Sequence, residues 1–521
     1  MLLAPLDFAI LAAYVVILLG LAWWVSRDKP GHDKNTSDYF LAGNSLPWWA
    51  IGASLVASNI SAEQVIGMSG SGYAIGLAIA SYEWMAAITL IIVGAWFLPI
   101  FLKRKIYTMP QFLLHRYDNR VRLTMALFWM AVYVFVNLTA VLWLGALAIN
   151  TLTGLNISAS LVLLALLSLA YSLYGGLKVV ALTDIIQVLL LVAGGLFLSY
   201  VSLQMVSDGH GVVAGFDILM TKLPEKFDMI LTPDNPNYAS LPGISVLIGG
   251  LWVMNLSYWG FNQYIIQRAL AAKDLKEARK GIAFAAFLKL LMPVLVVLPG
   301  IAAVLLLPPL DRPDQAYPQL MGLMPVGLKG LIFAALVAAI LSSLASMTNS
   351  ISTIFTMDLY AQVRRHQTQH HYVKVGRIAS VAALVIALVT AQPLLGKSEQ
   401  AFQFIQEFTG FFTPGIVVLF VLGMFWKKAT ANGALAAAIG SAALSAAAKF
   451  WLPEVPFMDR VGYVFLCCLV LAVVISLLEG KGKDHEHSIP LHDIDFTTHG
   501  GYRVCAVVIS LILIGFYTTW W

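Results

Sequence analysis

Cysteine is scarce. The three in 521 residues are Cys467, Cys468 and Cys505, all within apolar stretches. Adjacent cysteines on one helix do not pair easily, and no metal-ligand spacing is present, so no disulfide framework and no structural zinc are expected. Charge is scarce too: 11% of residues are Asp, Glu, Lys or Arg against 60% hydrophobic, which excludes a string of water-soluble domains. The ten histidines lie in loops or at the ends of apolar runs, leaving no intramembrane pair to hold haem. No Gly-rich phosphate loop, nucleophile elbow or metal-protease motif sits where it could act. These absences speak against an enzyme and against an organic cofactor. The formal charge of +5 is spread over short loops rather than gathered in a patch, which gives no footing for nucleic acid.

What the chain has instead is apolar runs long enough to cross a lipid bilayer, its expected surroundings. A helix needs about 20 such residues. About fourteen runs are read, at 5–26, 47–72, 75–102, 119–151, 157–174, 179–206, 243–267, 277–308, 326–360, 372–394, 401–426, 431–451, 459–479 and 502–521. With the first run starting outside, the inner loops collect Arg27, Lys29, Lys34, Lys103, Arg104, Lys105, Arg116, Arg120 and Arg122. They also hold Arg268, Lys273, Lys276, Arg279, Lys280, Arg364, Arg365, Lys374, Arg377, Lys427 and Lys428, together about two-thirds of the 32 basic residues. Both termini then lie outside. The first run has no basic segment before it and no small-residue cleavage site after it, so it reads as a true span and not a signal peptide. The outer loops at 208–241 and 308–325 are proline-rich and do not read as domains. Residues 480–500 carry His485, His487, His492 and His499 among acids and read as a solvated linker in preference to a metal site.

Two spans should break. The second, WWAIGASLVASNISAEQVIGMSGSGY, carries Ser58, Asn59, Ser61, Glu63 and Gln64 midway; the seventh, IGGLWVMNLSYWGFNQYIIQR, carries Asn255 and Ser257 at similar depth. Freed backbone survives in hydrocarbon only where it lines a cavity or binds something. Interrupted helices in corresponding positions of two halves point to an inverted-repeat transporter with a midplane site. Five spans separate them. The expected organisation is one transmembrane domain over 1–521, with an extra first helix at 5–26, one repeat at 47–206, a second at 243–426 and three C-terminal helices at 431–521.

Ionisable side chains at the bilayer centre cost at least about 2.5–3.5 kcal/mol, so each one needs a reason. They are Glu63, Glu83, Asp184, Lys289 and Glu407, with Lys449 near a span end read as snorkelling. Glu83 and Lys289 read equally as a pair in a substrate cavity or as an ion pair between helices. Asp184 is read as serving a cation in preference to capping a helix, because the apolar run begins before it, at Val179. Ser342 and Ser343 in LVAAILSSLASMTNS offer two hydroxyls near Ala339, although small residues also serve close helix packing.

The strings SDYFLAGNSLPWWAIGAS, SNISAEQVIGMSGSGYAIGLAIASYEWM, YSLYGGLKVVALTDIIQV, YWGFNQYIIQRALAAK and SSLASMTNS together resemble the sodium/solute symporter family, and within it the bacterial sodium/galactose branch. The resemblance implies an all-α polytopic fold like that of amino-acid/sodium symporters, alternating access, and a place in the bacterial cytoplasmic membrane. It also implies sodium as coupling ion and a hexose, galactose or glucose, as substrate. Sugar-contacting positions of the branch fall on Gln64, Glu83, Asn255, Lys289 and Gln406, with Asn59 close by. Gate positions fall on Met68, Tyr82 and Phe402 on the outer side and on Tyr258 and Trp259 beneath the sugar. The sodium site maps to the carbonyls of Ala57, Ile60 and Ala339 and the hydroxyls of Ser342 and Ser343, with Asp184 in support.

Two departures matter. Where the galactose branch has a serine after its EWM motif this chain has Ala86, so one hydroxyl is lost and sugar preference is open. Where some relatives place a serine for a second sodium, this chain has Ala345, which implies a single sodium. The same scaffold also carries proline, pantothenate or sialic acid in relatives, but an anionic substrate is disfavoured by Glu83 beside Lys289 and the absence of an arginine. A sensor or channel on the same fold is the remaining alternative, and no soluble signalling domain accompanies it.

Overall fold

The computed structural model describes residues 3–26, 45–106, 108–172, 176–396 and 400–521. Arg27, Lys29, Lys34, the SDYFLAGN segment and positions 173–175 of YSLYGGLK lie outside the described residues. The described chain is helix and connecting loop, with an isolated parallel bridge between Leu46 and Ala272.

In chain order the first seven helices are α1 (Pro5–Ser26), α2 (48–74, interrupted), α3 (Leu77–Lys103), α4 (Asn119–Thr153), α5 (Ile157–Ser172), α6 (Gly176–Val206) and α7 (244–270, interrupted). They are followed by α8 (Leu275–Leu306), α9 (Leu328–Val363), α10 (Gln369–Leu395) and α11, which runs Ala401–Thr409 and Thr413–Phe425 around a 47° bend. Helices α12 (Ala431–Trp451), α13 (Phe457–Gly480) and α14 (Gly500–Thr519) complete the order. Among the described residues, nine helices are long and apolar enough to cross a bilayer, and the bent pair of α11 makes a tenth. The two shorter apolar helices α1 and α5 and the two broken spans α2 and α7 bring the sum to fourteen.

Both breaks have local causes. In α2 the first helical piece stops at Asn59, and Ile60 leaves the helical region at φ −73°, ψ 80°. The Ser58 hydroxyl donates back to the Ser54 carbonyl at 2.5 Å, and the Ser61 hydroxyl accepts the Glu63 N–H at 3.2 Å. These side chains offer the backbone partners that the helix would otherwise supply. The chain then resumes as a widened π-type turn at Glu63–Met68, a feature common at functional sites. In α7 the regular helix ends at Leu256 and widens into a π-type turn at Ser257–Phe261, so Ser257 marks the opening of the interruption and Asn255 does not. Asn255 sits inside a helical segment and back-bonds to the Leu251 carbonyl at 3.1 Å, while the chain leaves the helix at Asn262, φ −79°, ψ 120°. There Tyr133 of α4 enters: its hydroxyl donates to Asn262 Oδ1 at 2.6 Å and accepts the Gln263 N–H at 2.8 Å. The break is supplied by another helix.

Packing follows a pattern of exchange. α2 packs on α8 and α7 on α3; α4 packs on α10 and α9 on α5. Pairs that swap in this way are what a two-fold relation between α2–α6 and α7–α11 requires. Close approach of α2 and α8 needs glycine: a Cβ on Gly300 would meet the Ser69 carbonyl at 2.2 Å, and one on Gly72 the Val297 carbonyl at 2.8 Å.

The loops hold helix ends. Lys226 Nζ donates to the carbonyls of Tyr73 and Ala74 at 3.0 and 2.7 Å, closing the end of α2. Asp314 Oδ2 accepts the Ala401 N–H at 3.0 Å at the start of α11, and Asp7 Oδ1 accepts those of Gly327 and Gly330 at the start of α9. The 480–500 linker is anchored, not free: Arg104 pairs with Asp493 at 3.3 Å and Arg279 donates to the Thr497 carbonyl at 2.6 Å. Lys449, partly exposed in the last turn of α12, pairs with Glu407 at 3.1 Å, and Arg460 reaches the same carboxylate at 2.9 Å.

Candidate functional site

The broken spans and the bend of α11 meet around one narrow cavity. α2 contributes Asn59, Glu63 and Gln64, α3 contributes Tyr82, Glu83 and Ala86, α7 contributes Asn255, Tyr258, Trp259 and Asn262, and α11 contributes Phe402 and Gln406. Five of the six sequence-derived substrate positions therefore line one cavity. The sixth, Lys289 on α8, is fully buried just behind the wall. Its Nζ lies 2.5 Å from Glu83 Oε2, donates to Asn59 Oδ1, and sits 4.9 Å from the centroid of the Trp259 ring. The Glu83–Lys289 pair thus joins α3 to α8, and Glu83 lines the cavity.

Further bonds orient the wall. Gln406 Nε2 donates to Glu63 Oε1 at 3.2 Å, and Ser61 Oγ to Gln64 Oε1 at 3.4 Å. Asn59 Nδ2 donates to the Tyr258 hydroxyl at 3.0 Å, which also accepts from the Tyr264 hydroxyl at 2.8 Å. On the opposite side Tyr82 and Phe402 meet edge to face at 5.1 Å. Met68 is fully buried in the widened turn of α2 but is not one of the cavity-lining residues. The hydroxyls of Tyr82 and Thr409, both on the lining, are buried without a protein partner, and are therefore free to bond a ligand. Ala86 is on the lining, so a hydroxyl at this position would face the cavity.

A second polar cluster lies where α2, α6, α7 and α9 converge. Asp184 is fully buried and sits eight residues into α6, too deep to cap its start. Its carboxylate accepts from Ser54 Oγ at 2.6 Å and from the Ser342 hydroxyl. The Ser343 hydroxyl donates to the carbonyls of Ser58 and Ala57, at 3.2 and 3.5 Å, in the last turn of α2 before its break. Ala57, Ile60 and Ala339 are all buried beside these groups in sequence. The donor set is oxygen throughout, which suits a hard monovalent cation.

Arg268 belongs to this cluster and not to an inner loop. It is fully buried at the end of α7, with Nε donating to Ser54 Oγ at 3.0 Å and its terminal nitrogens donating to the Ser346 hydroxyl and the Tyr264 carbonyl. Ser54 therefore bridges the guanidinium and the Asp184 carboxylate. Residue order alone gives Asn262, Thr409, Ser54 and Ser346 no role, marks Glu63 only as a carboxylate inside a span, and places Arg268 in an inner loop.

Comparison with known proteins accords with this geometry. The sodium:solute symporter family profile matches residues 39–440. A sodium/glucose cotransporter from Vibrio parahaemolyticus is 51% identical across 99% of this chain and 98% of its own length. A rabbit (Oryctolagus cuniculus) sodium/myo-inositol cotransporter 2 is 34% identical across 83% of this chain and 68% of its own. Among solved structures, the substrate-bound outward-open state of a sodium-coupled sialic acid symporter superposes with TM-score 0.80 at 24% identity, covering 91% of this chain and 98% of that one. With two broken spans enclosing a polar cavity, and a profile match over most of its length, the chain belongs to the sodium:solute symporter family, whose members are transporters and not enzymes.

Proposed function

We propose that the chain carries a neutral hexose, galactose or glucose, across the bacterial cytoplasmic membrane with one sodium ion per sugar. The observation that carries this reading is the cavity wall: Asn59, Gln64, Glu83, Asn255 and Gln406 line it with donors and acceptors, together with the rings of Tyr258 and Trp259. A ring of hydroxyls needs such a mixture, and sugar faces stack on aromatic surfaces. Glu63 and Glu83 stand against one lysine, an unfavourable balance for an anionic solute. The relatives named for glucose and myo-inositol, both uncharged rings of hydroxyls, support the same choice.

In the proposed cycle, sodium enters first from outside. Carbonyls of Ala57, Ile60 and Ala339 and hydroxyls of Ser342 and Ser343 hold it, so that it ties α2 to α9. The chain's own residues define the coupling: Asn59, one residue before the break, is bonded to both Tyr258 and Lys289. Ordering the end of α2 around an ion therefore orders the sugar cavity. Linkage makes the effect reciprocal, so sugar must tighten sodium to the same degree. Tyr82, Phe402 and Met68 close the outer side; release inward proceeds as sodium leaves past Asp184 and Tyr258 loosens. The repeats that rock are 47–206 and 243–426, flanked by 5–26 and 431–521, with both termini on the periplasmic side. One charge crossing about 100 mV yields about 2.3 kcal/mol and a tenfold sodium gradient about 1.4, which limits accumulation to roughly 500-fold.

The test is uptake of labelled galactose, glucose and myo-inositol by purified protein in liposomes, with a sodium gradient and a potassium control. Sodium-dependent accumulation of a hexose is expected. Sodium binding without uptake of any of the three would reassign the substrate.

A further inference from the structure

On the side of the basic loops, where α8 meets α14 and the start of α2, Trp48, Ala283, Phe284, Phe287 and Cys505 line a groove of about 430 Å3. Trp48 stands edge-on to Phe284 with ring centroids 5.8 Å apart, and Trp48 and Phe287 are each 37% exposed. An apolar wall of this kind, open on its outer side, faces hydrocarbon. One end of the groove is ringed by Lys276, Arg279, Lys280 and His499. Arg279 is held there by the Gly94 and Thr497 carbonyls. Lys276 has no ion pair among the described residues. The acidic neighbours are few: Glu277 takes Lys280 at 3.4 Å and the Trp48 N–H at 2.9 Å, and Asp495 is occupied by Thr497.

Other grooves lack this combination. One between α1, α5 and α9 is lined by Phe8, Leu11, Leu163 and Phe333 with no charged residue. Another carries Arg104, Arg116 and His487 but is covered by the linker at Ser488–Pro490. We propose that the α8–α14 groove binds an anionic glycerophospholipid, with an acyl chain along Ala283, Phe284 and Phe287 and the phosphate at Lys276 and Lys280. A chain moving from bilayer to groove exchanges one hydrocarbon environment for another. The walls therefore position the lipid, and the basic rim selects its headgroup at the depth where anionic headgroups lie. The groove spans the seam between α14 and α8, the helix that also carries Lys289, so the bound lipid braces the wall behind the sugar cavity.

The test uses the full chain in phosphatidylcholine nanodiscs titrated with phosphatidylglycerol or phosphatidylethanolamine. Retained lipid is counted by native mass spectrometry, and alkylation of Cys505 is timed in a Cys467→Ser background. Phosphatidylglycerol is expected to be retained preferentially and to slow alkylation. Lys276→Gln with Lys280→Gln should weaken that retention roughly 30-fold, the loss expected for two lysines at a membrane surface. Ala283→Phe, which fills the chain site and leaves the charges, should abolish the protection of Cys505; thermal unfolding reports that each variant is folded. Equal retention of both lipids, or a folded Ala283→Phe variant that keeps full preference, would overturn the proposal. So would displacement by inorganic phosphate, which would make this a soluble-anion site, or protection of Cys505 by dimer formation without anionic lipid, which would give the groove to a second copy.

Discussion

The Ser343 hydroxyl of α9 lies 3.2 Å from the Ser58 carbonyl and 3.5 Å from that of Ala57, in the turn of α2 that ends at its break. Carbonyls in a last helical turn have no intrahelical donor, and a hydroxyl from another span already stands where a cation would draw both together. Ser343→Ala should raise the sodium concentration for half-maximal sugar uptake roughly 10- to 100-fold, the range for one bond to a charged group. Sugar binding at saturating sodium should change little. Initial rates across a sodium series check this; an unchanged sodium dependence would remove Ser343 from the ion site.

Lys289 and Glu83 separate a structural role from a functional one. Removing one partner of a buried pair costs about 3–5 kcal/mol, while replacing both with apolar groups is often neutral. Lys289→Met alone should lower thermal stability and stop uptake. Adding Glu83→Leu should restore stability and leave uptake abolished. Unfolding temperature and uptake measured on both variants decide; recovery of transport in the double variant would reduce the pair to a brace.

Arg268 bonds to Ser54, which bonds to Asp184. A lysine cannot reproduce the guanidinium's simultaneous bonds to Ser54, Ser346 and the Tyr264 carbonyl. Arg268→Lys should therefore slow turnover and alter sodium dependence while equilibrium sugar affinity at saturating sodium stays within about threefold of the parent. Equal loss in sodium dependence and sugar affinity would show that Arg268 only holds the fold.

Ala86 and Gln406 probe the sugar directly. Ala86→Ser restores a hydroxyl on the cavity wall and should tighten one epimer over the other by roughly 2- to 10-fold, the worth of one neutral hydrogen bond. Gln406→Ala should remove sugar uptake and leave sodium binding. Competition binding with galactose and glucose reads both.

Much of this was legible from residue order because it is local. Serines and an asparagine in the middle of an apolar span announce the break in α2, since they compete for the backbone where they stand. In α7 the widened turn opens at Ser257, where residue order marks it, but the exit from the helix at Asn262 has no local signal, because the groups freed there are satisfied by Tyr133, 130 residues away. Arg268 followed the rule that basic residues near span ends face inward, and only its tertiary partners on α2 and α9 bury it. Lys449 does lie partly exposed at its span end, and what residue order does not reveal is its partner Glu407, which comes from another helix.

The most direct test of coupling is the reversal potential for sugar movement in proteoliposomes, found by varying the sodium gradient against a fixed sugar gradient and membrane voltage. One sodium per sugar predicts balance near a 500-fold sugar ratio at about 100 mV and a tenfold sodium gradient. A balance point indifferent to sodium, or one requiring two ions per sugar, would contradict it.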